Sequence, residues 1–280
     1  MSSVILVTGS AGHLGEALVR ALRAAGHEVR GLDRLASPST DVVASITDAV
    51  AVERSMAGVG AVIHTATLHK PHVATHGRQA FVDTNVTGTL NLLEASVRAG
   101  VRSFLYTSTT SAFGDALVPP GGAPAAWITE DVRPVPKNIY GVTKVAAEDL
   151  CALAHRNQGL PCLVLRTSRF FPEPDDDPSA RSAYDDANLK VNEFLYRRVD
   201  IEDVVDAHLR GLERAAALGF GRYIVSATTP FEPGDVAELR RDAPAVVSRR
   251  VPEWQPVFAR LGWRMAPSID RVYDNARARA

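Results

Sequence analysis

A glycine-rich turn near the start of the chain, Thr8-Gly9-Ser10-Ala11-Gly12-His13-Leu14-Gly15, limits the possible folds more than any other stretch. Before it runs Val4-Ile5-Leu6-Val7, a short apolar run rich in β-branched residues, which predicts a buried strand. After it Leu14, Ala17, Leu18, Ala21, Leu22 and Ala25 recur at helical spacing until Gly26 ends the pattern. The glycines therefore join a strand to a helix. Backbone N–H groups at a helix mouth, with the positive end of the helix dipole behind them, favour a phosphate, and glycine keeps side chains out of its way.

The spacing Gly9-x-x-Gly12-x-x-Gly15 differs from the ordinary dinucleotide fingerprint, and packing alone can also require glycine in such a turn. The surroundings favour a dinucleotide. A second strand, Glu28-Val29-Arg30-Gly31-Leu32-Asp33, ends in a carboxylate 18 residues past Gly15. That is close to the ~20 expected for the acid that accepts from an adenosine ribose. The same carboxylate would repel a 2′-phosphate, so Asp33 indicates NAD over NADP even with Arg34 beside it. Gly9, Gly12, His13, Leu14 and Gly15 are the expected contacts to the pyrophosphate.

Composition narrows the function class. The net charge is −1, which gives no electrostatic footprint for nucleic acid or an anionic membrane. No apolar run approaches the ~20 residues of a membrane helix, and Met1-Ser2-Ser3 leads directly into the first strand. The expectation is a cytoplasmic protein without a signal peptide. Cys151 and Cys162 lack metal-ligand spacing and are expected to be reduced thiols.

Strands and helices alternate through the first two-thirds of the chain. This predicts an α/β fold with a doubly wound parallel sheet and helices on both faces. Val42-Val43-Ala44 reads as a third strand. Asp48, just beyond it, is either a hydrogen-bond partner for adenine or an N-terminal acid of the helix over 49–56. Residues 61–67 read as a fourth strand running into small residues against which a cofactor can lie. The loop that follows holds His69, Lys70, His72 and His76. Its spacing matches no familiar metal-ligand pattern, so a polar substrate-side loop is expected. Asn85 to Ala99 reads as a helix, and residues 101–106 as a fifth strand ending in five hydroxyls, Thr107 to Ser111. Ligands gather at the carboxyl ends of strands in such a sheet. Residues 119–136 read as a long loop carrying Trp127. Tyr140 and Lys144 then lie four apart on one face of a helix. A sixth strand over 162–166, a rigid acidic loop over 171–178, a helix entered at Val199 to His208 and a strand over 222–226 complete the pattern, with short helices beyond.

Together these features resemble the extended short-chain dehydrogenase/reductases, the NAD-dependent epimerase/dehydratase group. The residues that carry the likeness are Thr8-Gly9-x-x-Gly12-x-x-Gly15, Asp33, His64-x-Ala66, Asn85-Val86-x-Gly88-Thr89, Thr107-Ser108-Thr109 through Gly114, Tyr140-Gly141-x-Thr143-Lys144 and Val199 to Val204. The resemblance implies a Rossmann domain over 1–167, its core extending into 199–228, with bound NAD. It also implies a small substrate-binding lobe from 168–198 and 229–280. It assigns catalysis to Thr109, Tyr140 and Lys144, flanked by Ser108 and Ser111, and adds His64, Ala66 and Asn85 to the cofactor residues. Related enzymes pair through the helices matching 85–99 and 140–156, so a homodimer is expected.

The residue types fit hydride transfer. When a hydride leaves a carbinol carbon, the hydroxyl proton must go to a base. Tyrosine, with an unperturbed pKa of ~10, needs an adjacent ammonium to favour its phenolate. Lys144 is placed to supply it and to hold the nicotinamide ribose, while Thr109 orients the substrate oxygen. Departures from the family pattern narrow the reaction. Thr110 and Ser111 stand where the 4,6-dehydratases carry an Asp-Glu pair, which leaves water elimination without a catalyst. Phe113 replaces the tyrosine common before Gly114 in sugar epimerases. Phe171-Pro172-Glu173-Pro174 is similar to the uronate dehydrogenase branch. The family usually continues past residue 280, so a truncated chain is one reading of its end. The expected activity is an NAD-dependent dehydrogenase of a small sugar or sugar acid. The alternatives are an epimerase that retains its NAD and a non-catalytic NAD-binding regulator. Lys70 and Arg169 are candidate partners for a substrate carboxylate, with Arg181 more distant. The competing reading pairs Arg169 with Glu173 or Asp175 to Asp177.

Overall fold

Val4–Thr8 is buried at every position, as a strand at the centre of a sheet covered on both faces must be. It is β1 in a computed structural model that describes residues 4–173 and 178–280. The chain continues through α1 (His13–Ala24), β2 (Val29–Asp33), β3 (Val42–Val43), α2 (Ala49–Ser55) and β4 (Val59–His64). Next come α3 (Arg78–Phe81), a π-helical turn (Val82–Thr87), α4 (Gly88–Arg98), β5 (Ser103–Thr109), β6 (Ala126–Ile128), α5 (Ile139–Gln158) and β7 (Cys162–Thr167). The remaining elements are α6 (Pro178–Ala183), α7 (Asp186–Phe194), α8 (Ile201–Leu218), β8 (Phe220–Val225), α9 (Val236–Leu239), α10 (Ala243–Arg250), α11 (Trp254–Leu261), β9 (Arg271–Tyr273) and α12 (Ala276–Arg279).

Seven strands form one sheet in the order β3-β2-β1-β4-β5-β7-β8. The pairs β1–β2, β1–β4, β2–β3 and β4–β5 are all parallel. Winding proceeds outward from β1 in one direction and from β4 in the other. The carboxyl ends of β1 and β4 therefore flank the crevice in which a doubly wound sheet takes its ligand. The amphipathic pattern of α1 puts Leu14, Leu18, Val19 and Leu22 against the protein, and α1 packs with α8. Helices α2, α4 and α5 pack together. Their Val52, Leu92, Ala147 and Cys151 share a core with Leu6, Val62, Phe104 and Val164 of the strands. Full burial of each such large aliphatic or aromatic side chain contributes about 1.5–3 kcal/mol.

The chain divides into two compact units, the first comprising residues 1–112, 136–166 and 201–223, the second 113–135, 167–200 and 224–280. In the second unit β6 pairs in parallel with β9, above a core that includes Phe231, Leu239, Val246, Val247 and Val272.

Several elements differ from the sequence reading. Residues 119–136 are not a continuous loop: Trp127 lies in β6, and its indole Nε1 donates to Asp274 Oδ2 at 3.1 Å. Segment 113–135, expected in the NAD-binding part, groups with the second unit. The helix expected from Asn85 begins instead at Arg78, after Gly77. Polar Gln79, Asp83 and Thr84 hide its apolar period, although Phe81 is fully buried. β5 runs on through Thr109, so three of the five hydroxyls belong to the strand itself. Of the acidic loop, residues 174–177 lie outside the described residues.

Candidate active site

The turn after β1 separates two reasons for glycine. Gly9 has φ +73°, and a Cβ there would lie 2.7 Å from the Ala66 nitrogen; a Cβ on Gly15 would lie 1.9 Å from the Gly9 carbonyl oxygen. The chain itself demands glycine at both places. Gly12 is different. It is exposed, has an ordinary φ of −81°, and a Cβ would meet only the Gly9 oxygen at 3.2 Å. Gly12 is also the residue preceding α1 and offers no side chain to cap it. The helix mouth is thus open to a ligand that must approach the backbone. Asp33 completes this end: its Oδ2 accepts from the Ala11 nitrogen at 3.1 Å and its Oδ1 from the Leu35 nitrogen at 2.9 Å.

Tyr140 lies in the first turn of α5, which Asn138 caps by accepting from the Gly141 nitrogen at 3.0 Å. The absence of a side chain at Gly141 lets α5 start close to the end of β5, since a Cβ would reach 3.0 Å from Pro136 and 3.5 Å from the Ser111 oxygen. Burial pushes the Tyr140 phenol up to about 12, outweighing the Thr109 hydroxyl, which works to lower it. Lys144 is buried one turn further along. Its Nζ donates to the Thr107 carbonyl at 2.6 Å and lies 4.1 Å above the Tyr106 ring. Burial pulls its pKa down to about 7, against Glu148 and Cys151, which raise it. The expected lowering of the phenol by a neighbouring ammonium is therefore not met in this arrangement. The ammonium is directed at Thr107 and Tyr106, and desolvation governs Tyr140.

The profile of the NAD dependent epimerase/dehydratase family matches residues 5–225. The chain belongs to that family. A 3-beta-hydroxysteroid dehydrogenase of Mycolicibacterium neoaurum is 33% identical over 182 residues, 61% of this chain and 48% of that enzyme. The chain thus spans about half the length of this relative. A dTDP-glucose 4,6-dehydratase of Streptomyces griseus is 33% identical over 251 residues, 78% of this chain and 71% of the enzyme. Among solved structures, a short-chain dehydrogenase/reductase superfamily protein from Agrobacterium tumefaciens with bound NAD superimposes with a TM-score of 0.69 at 24% identity, covering 99% of this chain and 90% of the other. It supports the Rossmann-like fold.

NAD is the family's cofactor, and the open Gly12 position beside Asp33 fits it. Other residues expected at the cofactor make hydrogen bonds within the protein. His64 is buried and both ring nitrogens are engaged, Nδ1 with Thr8 Oγ1 at 2.8 Å and Nε2 with Thr89 Oγ1 at 2.9 Å. Thr89 gives its own hydrogen to the Asn85 carbonyl, so Nε2 carries the imidazole proton. Burial, then Lys144, pulls the His64 pKa down to about 3. The Asn85 amide is saturated: its oxygen accepts from Thr67 Oγ1 and the Leu68 nitrogen, and its nitrogen donates to the Leu68 carbonyl and Thr143 Oγ1. Asp48 Oδ1 caps α2, accepting from the Val50 and Ala51 nitrogens at 3.0 Å each.

The substrate candidates also divide. Ser108, expected at the substrate, is buried and donates to Glu148 Oε1 at 2.6 Å. Ser111 and Lys70 are exposed. Arg169 lies in the second unit, where it forms a parallel bridge with Arg198. In the histidine loop, His72 Nδ1 accepts from the His69 nitrogen at 3.0 Å, and Arg34 is among the charges that lower the His72 pKa, after desolvation and His76. Among the described residues no group of three His, Cys, Asp or Glu could hold a metal ion, and no helix is long and apolar enough to cross a membrane. The sequence reading missed the support beneath the site. Glu148, one turn after Lys144, receives a bidentate Arg166 at 3.0 and 2.7 Å, both side chains almost fully buried, and Arg222 at 3.2 Å. A charged residue on an otherwise apolar helix face and another inside a buried strand were the available signals.

Proposed function

We propose that the chain is an NAD-dependent dehydrogenase that oxidises a carbinol carbon of a small sugar or sugar-acid-like substrate. The observation that carries this reading is the placement of buried Tyr140 and Lys144 one turn apart on α5, with the Lys144 ammonium on the end of β5, the strand that ends in Thr109. Bound NAD supplies the hydride acceptor. Thr109 orients the substrate hydroxyl, and Tyr140 takes its proton at the phenolic oxygen. A phenol held near 12 needs a cation beside it to act at neutral pH; that part falls to Lys144, one turn along α5, although its ammonium is directed at Thr107 and Tyr106 in this arrangement. Gly12 and the first turn of α1 receive the pyrophosphate, and Asp33 the adenosine ribose.

Thr110 and Ser111 at the positions of the dehydratase acid and base argue against water elimination, although a named dehydratase is among the relatives. Lys70, exposed on the loop after β4 in the unit that carries Tyr140, is the candidate partner for a carboxylate on the substrate. The 3-beta-hydroxysteroid dehydrogenase relative makes a sterol hydroxyl the competing substrate class.

The test is a screen of free sugars, sugar acids, nucleotide sugars and 3β-hydroxysterols for NADH release. Net NADH formation separates a dehydrogenase from an NAD-retaining epimerase. On the substrate so found, Tyr140→Phe should bind NAD with wild-type affinity and lose at least about a hundredfold in kcat, the usual contribution of a general base. Retained turnover in that variant removes Tyr140 from the mechanism.

A further inference from the structure

We propose that His208 of α8 is a positioning residue for Lys144, acting through Thr107 at the end of β5. The chain of contacts is short. His208 Nδ1 lies 2.7 Å from the Val204 carbonyl, its Nε2 lies 2.8 Å from Thr107 Oγ1, and the Thr107 carbonyl accepts from Lys144 Nζ at 2.6 Å. All four residues belong to the first unit.

Elementary hydrogen-bond accounting fixes the direction of each link. A carbonyl oxygen only accepts, so Nδ1 carries the imidazole hydrogen. His208 is completely buried and neutral, its pKa pulled down to about 4 by that burial. Nε2 is therefore a lone-pair acceptor, and the Thr107 hydroxyl must donate to it. Threonine has a stiff χ1, so fixing its hydroxyl fixes the residue whose backbone carbonyl holds the ammonium. α8 itself is held at close range. Gly211, three residues on, permits this approach, since a Cβ there would stand 2.9 Å from Leu105 Cδ2 and 3.7 Å from Leu163 Cδ1. The two ring nitrogens of His208 are both taken up by these contacts, with Val204 and with Thr107. Its place is to carry the register of α8 into the strand end that anchors Lys144.

The proposal rests on Lys144 as the cofactor-side cation, and the test separates the two. The chain has only four lysines, Lys70, Lys137, Lys144 and Lys190. Enzyme labelled with [ε-13C]lysine therefore gives four resonances, with Lys144 identified by its loss in Lys144→Arg. The groups facing Lys144 are Glu148 and Cys151 on its own helix, His64 on β4 and Tyr106 on β5. They remain in every variant used. In His208→Leu the Lys144 resonance should titrate lower than in wild type by about half a pH unit or more, because the ammonium loses a fixed acceptor while staying buried. His208→Gln, whose amide oxygen can accept from Thr107, should restore the wild-type midpoint. Thr107→Ser should keep it, Thr107→Val should reproduce His208→Leu, and the double variant should go no further than either single change. NAD+ affinity measured calorimetrically on the same proteins should fall about three- to tenfold in His208→Leu, the size of a modest coupling. A Lys144 midpoint unmoved in His208→Leu or Thr107→Val, or one that His208→Gln fails to restore, overturns the proposal. A moved midpoint with unchanged NAD+ affinity upholds the positioning and instead removes Lys144 from the cofactor.

Discussion

Burial keeps His64 and His208 neutral where a free imidazole would be charged, with pKa values of about 3 and about 4 against an ordinary 6.5. In the unfolded chain both would take a proton below about 6.5. The folded state takes none until the pH reaches the lower values, so the unfolded state binds more protons and stability falls as pH falls. Each histidine should contribute a loss of about 1.4 kcal/mol per pH unit across that window. Urea midpoints at a series of pH values should decline from neutrality toward pH 4, and His208→Gln should decline less steeply. Equal slopes would mean that His208 is not buried and neutral in solution. Tyr106 presents the converse case. Its ring lies under Lys144, yet its hydroxyl is buried with no partner among the described residues. Tyr106→Phe keeps the ring and removes the unpaired oxygen. Stability should rise by about 1 kcal/mol, within the penalty for a buried unsatisfied hydroxyl, read as an increased urea midpoint at unchanged slope.

At the scale of elements, the proposed adenosine-ribose contact lies in the strand-to-loop junction after β2. Asp33 turns its carboxylate toward the Ala11 nitrogen of the glycine turn, while exposed Arg34 follows it and lies near His72. Asp33→Ser removes the charge that repels a 2′-phosphate and leaves Arg34 to receive it. The ratio of NADP+ to NAD+ affinity should rise about tenfold or more, the scale of one charge-assisted contact, measured by calorimetric titration of both nucleotides. This junction was legible in the sequence because its signals are local: a glycine turn, an apolar run and an acid at a fixed distance. α1, α5 and the central strands were legible for the same reason. β6 and β9 were not. Each has three residues, too few to show a period, and their pairing joins positions more than a hundred residues apart. The π-helical turn was hidden because its polar residues interrupt the helical pattern. His64, Asn85 and Ser108 were recognised as special, but sequence alone does not say whether a polar side chain faces a ligand or another buried side chain. Glu148 and Arg166 show the same limit, since 18 residues separate two charges that meet only when α5 packs on β7.

At the scale of the whole molecule, α4 and α5 bear on the number of chains. α4 and α5 pack side by side and still expose apolar residues: Leu90 on α4 is 38% exposed, and Val142 and Leu153 on α5 are 49% and 39% exposed. Single exposed aliphatics are ordinary, but these three lie on the two helices through which related enzymes pair. Tyr140 and Lys144 point the other way and are only 8% and 2% exposed, so a second copy could cover α5 without touching the chemistry. A stable pair would bury about 800 Å² on each partner. We therefore expect a homodimer in sedimentation equilibrium at micromolar concentration. Val142→Glu with Leu153→Glu should give a monomer, because two carboxylates buried at a twofold contact lack partners. NAD+ binding should survive in that monomer within about threefold, since the first unit carries the glycine turn, Asp33, Tyr140 and Lys144 by itself. A wild-type monomer would assign the exposed aliphatics to solvent, and loss of NAD+ binding on dissociation would make the partner part of the site.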